Sequence, residues 1–267
     1  MWPELVRNYR VLTLDMLGFG FSDKPYRHDY RIVEQADIYK DLLQPRGVTD
    51  YHLFAHDYGV SVGQELMARG MEGKDPERRT AERRLVSRDS SQNIVSISPA
   101  VSDQTVDFTS HNSKSLAKSM RQVFGPKVPP TETFLDGILE LPCYNHRNRV
   151  LHKLIHYTPD RIEHGERWVS ALQRQGIPVR LTDGAADPIS GCHMAKHYRE
   201  LIPNADVVEL EDIGRYPQVQ APKAVLNAYL ESLSGHIPRS SLRSSDLLPF
   251  YHQYPAACCG DFLFPGA

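Results

Sequence analysis

Residues 51–59, Tyr-His-Leu-Phe-Ala-His-Asp-Tyr-Gly, constrain the fold of this chain more than any other stretch. A short apolar run, 51–55, enters a small-x-Asp-x-small turn, and a helix-like segment, 60–71, leaves it at once. That is the strand–turn–helix context of a nucleophile elbow, with Asp57 at its tip. An aspartate there, in place of serine, attacks carbon directly and forms an ester with what it attacks.

The rest of the chain alternates strand-like and helix-like segments, which predicts a parallel sheet with helices on both faces. Residues 9–15 read as a buried strand ending on Asp15, followed by the Gly-rich loop 18–25. Residues 33–43 read as a helix with Ile38 and Leu42 on one face. The charged stretch 72–88 shows neither a helical nor a strand period, and without interleaved aromatics it reads as a solvated loop rather than a nucleic-acid patch. Residues 94–98 form a weak strand. Strand signals stop between 102 and 172, where helix-like pieces at 133–141 and 150–157 are broken by five prolines. The alternation resumes with a strand at 177–182, a helix at 194–201, a strand at 205–210 and a closing helix at 221–233. From His236 onward Pro, Ser and aromatics occur without period, so the tail reads as irregular.

The chain has 267 residues and a formal net charge of -2, so its global balance points neither to nucleic acid nor to an acidic membrane surface. No apolar run approaches the roughly 18 residues of a membrane span, and the N-terminus lacks a signal-peptide pattern. Cys143, Cys192, Cys258 and Cys259 form no CxxC, which fits free thiols in a reducing, cytoplasmic compartment.

Four anchors in order resemble the α/β-hydrolase superfamily. They are residues 14–25 (Leu-Asp-Met-Leu-Gly-Phe-Gly-Phe-Ser-Asp-Lys-Pro), His56-Asp57-Tyr58-Gly59, Gly184-Ala185-Ala186-Asp187-Pro188, and Tyr216-Pro217-Gln218 with Ala221-Pro222. Within the superfamily they resemble the epoxide hydrolase and haloalkane dehalogenase branch, and most of all the mesoderm-specific transcript protein subgroup. The resemblance spans about residues 2–233. It implies a hydrolase core at 1–103 and 173–235, a helical lid at 104–172 and an irregular tail at 236–267. It also implies Asp57 as nucleophile, the Tyr58 backbone N–H as one oxyanion donor, and Asp187 as the acid that orients a catalytic histidine. No cofactor or metal is implied, and the substrate class is small and apolar or epoxide-like. Tyr58 stands where dehalogenases usually carry tryptophan, which favours epoxide-like substrates. Epoxide hydrolases protonate the opening ring from lid tyrosines, and Tyr144 and Tyr157 are the candidates.

Two departures from the pattern bear on activity. Arg215 stands where relatives carry the histidine base. A guanidinium, with a pKa above about 12 and no acceptor lone pair, does not take a proton from water, so Arg215 is expected to pair with Asp187 instead. In serine hydrolases, losing the histidine lowers turnover on the order of a million-fold. The family's His-Gly-x-Pro oxyanion loop and its third strand are also absent, so the chain reads as a truncated or alternative form. That leaves residues 9–14 either paired directly with 51–55 or with unmet hydrogen bonds. The function expected is therefore an impaired aspartate-nucleophile hydrolase, or alternatively a pseudoenzyme that binds a ligand or protein. His56 reads as structural, His52 as a strand residue, and the i,i+4 pair His193 and His197 as surface histidines without a third metal ligand.

Overall fold

The computed structural model describes residues 1–73, 113–141, 144, 150–174 and 178–234, with the backbone of 85–88 and 262–265. Its strands are β1 (Leu12–Thr13), β2 (Tyr51–His56), β3 (Leu85–Arg88), β4 (Val179–Gly184), β5 (Asp206–Leu210) and β6 (Phe262–Pro265). Its helices are α1 (Trp2–Leu5), α2 (Ile32–Leu43), α3 (Tyr58–Met71), α4 (Ser113–Gln122), α5 (Glu132–Glu140), α6 (Leu151–Leu154), α7 (Tyr157–Gln173), α8 (Cys192–Leu201), α9 (Pro217–Gln220) and α10 (Pro222–Ser234). The strands form one sheet in the order β1-β6-β2-β3-β4-β5. β2, β3, β4 and β5 pair in parallel, and β6 runs antiparallel to both of its neighbours.

β2 is buried at every residue because helices cover both faces of the sheet. Its alternating side chains part between two cores. Tyr51, Leu53 and Ala55 join the larger core with residues of α2, α3, α7 and α8, while Phe54 joins Leu5, Val225, Leu226, Tyr229 and Leu233 on the opposite face. The parallel arrangement puts the ends of β2 and β4 on one edge; Asp57 follows β2 directly, and Asp187 lies in the loop three residues past β4.

Several expectations are corrected here. The buried face of α2 is Ile32, Gln35, Ala36, Tyr39 and Leu43, with Ile38 and Leu42 only half-buried. Both stripes have helical spacing, so periodicity alone does not choose between them. The first strand contracts to two residues. The charged stretch read as a loop supplies β3, a central strand; with four residues it is too short to show a period. The weak strand at 94–98 lies outside the described residues. The tail read as irregular carries β6, which lies between β1 and β2. Residues 12–13 therefore neither pair directly with β2 nor go unpaired. Leu12 and Thr13 face Leu263 and Phe262, which face Leu53 and Phe54 on the other side.

The α7 helix, inside the segment read as lid, packs along α3. Their seam holds a buried carboxylate, Glu65, which accepts hydrogen bonds from Arg69 Nε at 2.6 Å, from Trp168 Nε1 at 2.8 Å, and from Arg167. Burial pushes this carboxyl up, but Arg167, Trp168 and Arg69 together hold it below the usual range. No described helix is long and apolar enough to cross a membrane.

Removing one partner from such a buried network leaves the others uncompensated. Glu65→Ala is expected to lower stability by about 3 kcal/mol, read from urea unfolding at neutral pH. Glu163→Ala, on the exposed side of α7, is expected to change it by less than about 1 kcal/mol.

Candidate active site

Asp57 is the residue between β2 and α3, and its backbone sits at φ 55°, ψ -116°. A positive φ at a non-glycine residue costs on the order of 1–3 kcal/mol and persists where surrounding packing enforces it. Here β2 and the first eleven residues of α3, all buried, fix both sides of the turn. The turn lifts the Asp57 side chain out of the core, and it is about a quarter exposed.

Arg215 grips that carboxylate. Its Nε and Nη2 both donate to Asp57 Oδ2, at 2.9 and 2.5 Å. Among the described residues, Oδ1 receives no hydrogen bond, so one oxygen is held and the other is presented. The third guanidinium nitrogen, Nη1, lies 3.7 Å from Asp187 Oδ2. Burial pushes the Asp57 carboxyl up, yet Arg215, with help from His56 and Arg161, holds it down at about 2. The Arg215 guanidinium is correspondingly raised despite its burial, by Asp57 first, then by Tyr216 and Asp187.

The expected pairing of Arg215 with Asp187 is thus secondary to its pairing with Asp57. The reason is visible at Asp187, a fully buried side chain whose oxygens are already engaged. Oδ1 accepts from the Ile189 N–H at 3.0 Å, and Oδ2 accepts from the Ser190 N–H at 3.2 Å and the Ser190 hydroxyl at 2.6 Å. These bonds close the loop after β4 and aim Asp187 at Arg215.

The loop carrying Arg215 is fixed from three sides. The His56 ring, at Nε2, donates to the Arg215 carbonyl at 2.8 Å and lies 5.4 Å from the Tyr216 ring. The Arg215 N–H donates to the Val123 carbonyl at 2.7 Å, and Phe124 and Phe134 pack on Tyr216. The Gln220 side chain accepts from the Gly214 N–H and donates to the Val128 carbonyl. Gly214 is required here, because a Cβ would lie 2.3 Å from the Val123 oxygen.

Tyr58 is buried, its ring 4.9 Å from Phe19 and its hydroxyl donating to the Tyr30 carbonyl. Burial pushes its phenol up. The two tyrosines of the segment read as lid have different surroundings. Tyr144 is 49% exposed and lies against Phe21, with Lys24 over its ring. The Tyr157 ring stands 5.8 Å from that of Tyr58.

One turn further along α7, Arg161 stacks on Tyr157 at 4.7 Å and donates to the Ser61 hydroxyl in the first turn of α3. Sequence reasoning missed Arg161. Its i,i+4 spacing from Tyr157 was the available signal.

His193 and His197 are exposed and contact the Ile189 carbonyl and Glu200. Among the described residues, Asp160, Glu163 and His164 bring three metal-type ligand atoms together. Arg31 binds both of those carboxylates, and Asp160 also accepts the Ile32 N–H at 2.6 Å. Both carboxylates of that cluster are thus already engaged by protein groups.

A family model described as the alpha/beta hydrolase fold matches residues 1–135. LipZ of Mycobacterium tuberculosis is 35% identical over 229 residues, covering 83% of this chain and 78% of LipZ. The mesoderm-specific transcript protein of Mus musculus is 33% identical over 251 residues, covering 86% of this chain and 72% of that protein. Among solved structures, a probable hydrolytic enzyme from Pseudomonas aeruginosa PAO1 superposes with a TM-score of 0.61 at 19% identity, covering 82% of this chain and 74% of that one. At that identity the likeness speaks to the fold.

The depressed carboxyl carries a pH signature. A group whose folded pKa lies below its ordinary 3.8 contributes stability that is complete above that value and is lost as pH falls toward 2. Asp57→Asn keeps the shape of the side chain and is expected to be less stable than the parent by about 2 kcal/mol at pH 6. Urea unfolding across pH should show that gap closing between about pH 4 and 2.

Proposed function

The chain belongs to the α/β-hydrolase fold family, and from that premise we propose that its elbow captures an epoxide-like electrophile on Asp57 and releases the product slowly or not at all. The observation that carries the reading is the grip of Arg215 on a single oxygen of Asp57. It occupies Oδ2 and, among the described residues, leaves Oδ1 without a hydrogen bond, the state an attacking carboxylate requires.

In the first half-reaction Asp57 Oδ1 bonds to an epoxide carbon, the ring C–O bond breaks, and the released alkoxide takes up a proton. Tyr157, packed on Tyr58, is the better placed of the two lid tyrosines to donate it, and Tyr144 is not. The Tyr58 N–H, at the first position of α3, is the backbone donor nearest the Asp57 carboxyl carbon in sequence. Negative charge developing there is favoured by the helix N-terminus.

In the second half-reaction water must lose a proton as it attacks the ester carbonyl. Arg215 occupies the position from which a base would act, and its raised pKa leaves it no capacity to accept one. Asp187 is 3.7 Å beyond Arg215 and engaged by Ser190. The ester is therefore the end point.

The same ion pair favours a second reading, a ligand-binding pseudoenzyme. A carboxylate held at about 2 by a guanidinium is a weak base and a correspondingly weaker nucleophile. Burial of apolar and aromatic groups around the elbow, Phe19, Tyr58 and Tyr157, fits a small apolar ligand in either case.

Intact-protein mass spectrometry after incubation with an aryl epoxide decides between them. Capture gives one adduct per chain that maps to Asp57 and is absent in Asp57→Asn. Sustained turnover without an adduct overturns the capture reading, and no adduct with unchanged ligand binding favours the pseudoenzyme. Arg215→His is expected to hydrolyse a preformed adduct at least about a hundredfold faster than the parent, since a general base contributes on the order of 10²–10⁴.

A further inference from the structure

The sheet holds one position that differs from the rest. Among the described strands, β2 through β5 are joined in parallel, as expected for strands linked by helices. β6, residues 262–265, runs antiparallel and, among the described strands, is the sole link between β1 and the others. Leu263 faces Leu12 on one side and Leu53 on the other. The insert is four residues long and ends at Pro265, opposite Tyr51, where it has no N–H to donate.

Its neighbour β2 is anchored on its other side by β3, is buried throughout and leads directly into Asp57. A short, proline-terminated donor thus pairs with four of the six residues of the strand that carries the elbow, Tyr51 to Phe54. Without it, the backbone groups of β2 and β1 on that side would lie unpaired, which is the condition that recruits another strand.

We propose that the gap between β1 and β2 is a strand-accepting site. The chain's own residues Phe262–Pro265 fill it here, and an extended apolar peptide segment binds there by β-augmentation when that donor is disabled. Main-chain hydrogen bonding supplies the affinity, and the donor's own sequence, Phe-Leu-Phe-Pro, sets the chemistry of the ligand. A donor on the same chain acts at an effective concentration that reaches the millimolar range. Self-occupancy therefore dominates at micromolar protein, and a foreign segment enters only when the tail is out of the slot. This site is independent of the Asp57 chemistry, so its test reads peptide binding rather than activity.

The test uses the full chain carrying Leu263→Pro, which removes the N–H of a residue paired on both sides. The probe is a fluorescent peptide with the sequence of residues 261–267, Asp-Phe-Leu-Phe-Pro-Gly-Ala. The variant is expected to keep a cooperative thermal transition and to bind the peptide at least about tenfold more tightly than the parent, because the internal competitor is gone. Amide exchange in 51–56 should quicken in the variant and slow again with peptide, while 206–210 stays unchanged. Equal binding to parent and variant, or no binding to a folded variant, overturns the proposal.

If Leu263→Pro does not fold, the pair Thr13→Cys and Phe262→Cys replaces it, in a full chain whose four native cysteines are serine. These positions are directly opposed in the sheet, and opposed antiparallel residues lie within disulfide reach. An intrachain cross-link that blocks peptide binding supports the site. A folded protein in which no cross-link forms overturns it.

Discussion

The Asp57–Arg215 ion pair is the contact on which the site depends. A carboxylate at the tip of a strained turn must be held, or it rotates among its rotamers and the turn's cost goes unused. In this chain the holder is a guanidinium that arrives from the loop after β5. Its fork takes one carboxylate oxygen and reaches the buried Asp187 with its remaining nitrogen. Three charges in a row, negative, positive and negative, keep the partly buried guanidinium compensated. The order also sets the electrostatics, because Arg215, with His56 beside it, keeps Asp57 ionised well below neutral pH.

The surroundings of that pair serve to keep Arg215 where it is. His56, one residue before Asp57, bonds to the Arg215 carbonyl, so the elbow and the Arg215 loop are tied to each other through backbone as well as side chain. Val123, Phe124 and Gln220 complete the clamp. A close approach of chain to chain at Gly214 leaves no room for the loop to shift outward. The position reads as a specific ionic arrangement rather than as a vacancy left by a lost imidazole.

The elbow and the parallel, helix-covered character of the sheet were legible in the sequence. A strand buried on both faces is a run of apolar residues, and a small-x-Asp-x-small turn announces itself, so Asp57 could be placed before any coordinates. Asp187 came from the family resemblance, after the strand read at 177–182. The Arg215 contact was only half legible. The arginine's identity and place were plain, but which carboxylate it would choose depended on Asp187 being already engaged by Ser190 and Ile189, which no spacing reveals. Arg161 went unseen because its function rests on where α7 lies against α3, and the segment before it has no clear period. β3 and β6 were missed for a related reason. Four residues carry too little pattern to identify a strand, and the signal that makes them strands is the partner on either side.

By itself, then, the sequence determined that a parallel sheet with an aspartate-tipped elbow would form, and that no imidazole would stand in the loop after β5. Apolar runs and turn chemistry are local properties, and local properties are written in consecutive residues. Tertiary structure alone decided that Arg215 would close on Asp57 before Asp187, that Tyr157 rather than Tyr144 would border the elbow, and that the last residues would pair between β1 and β2. Each of those outcomes is a competition among groups far apart in the chain, settled by which partner's hydrogen-bonding capacity was still open when the elements packed.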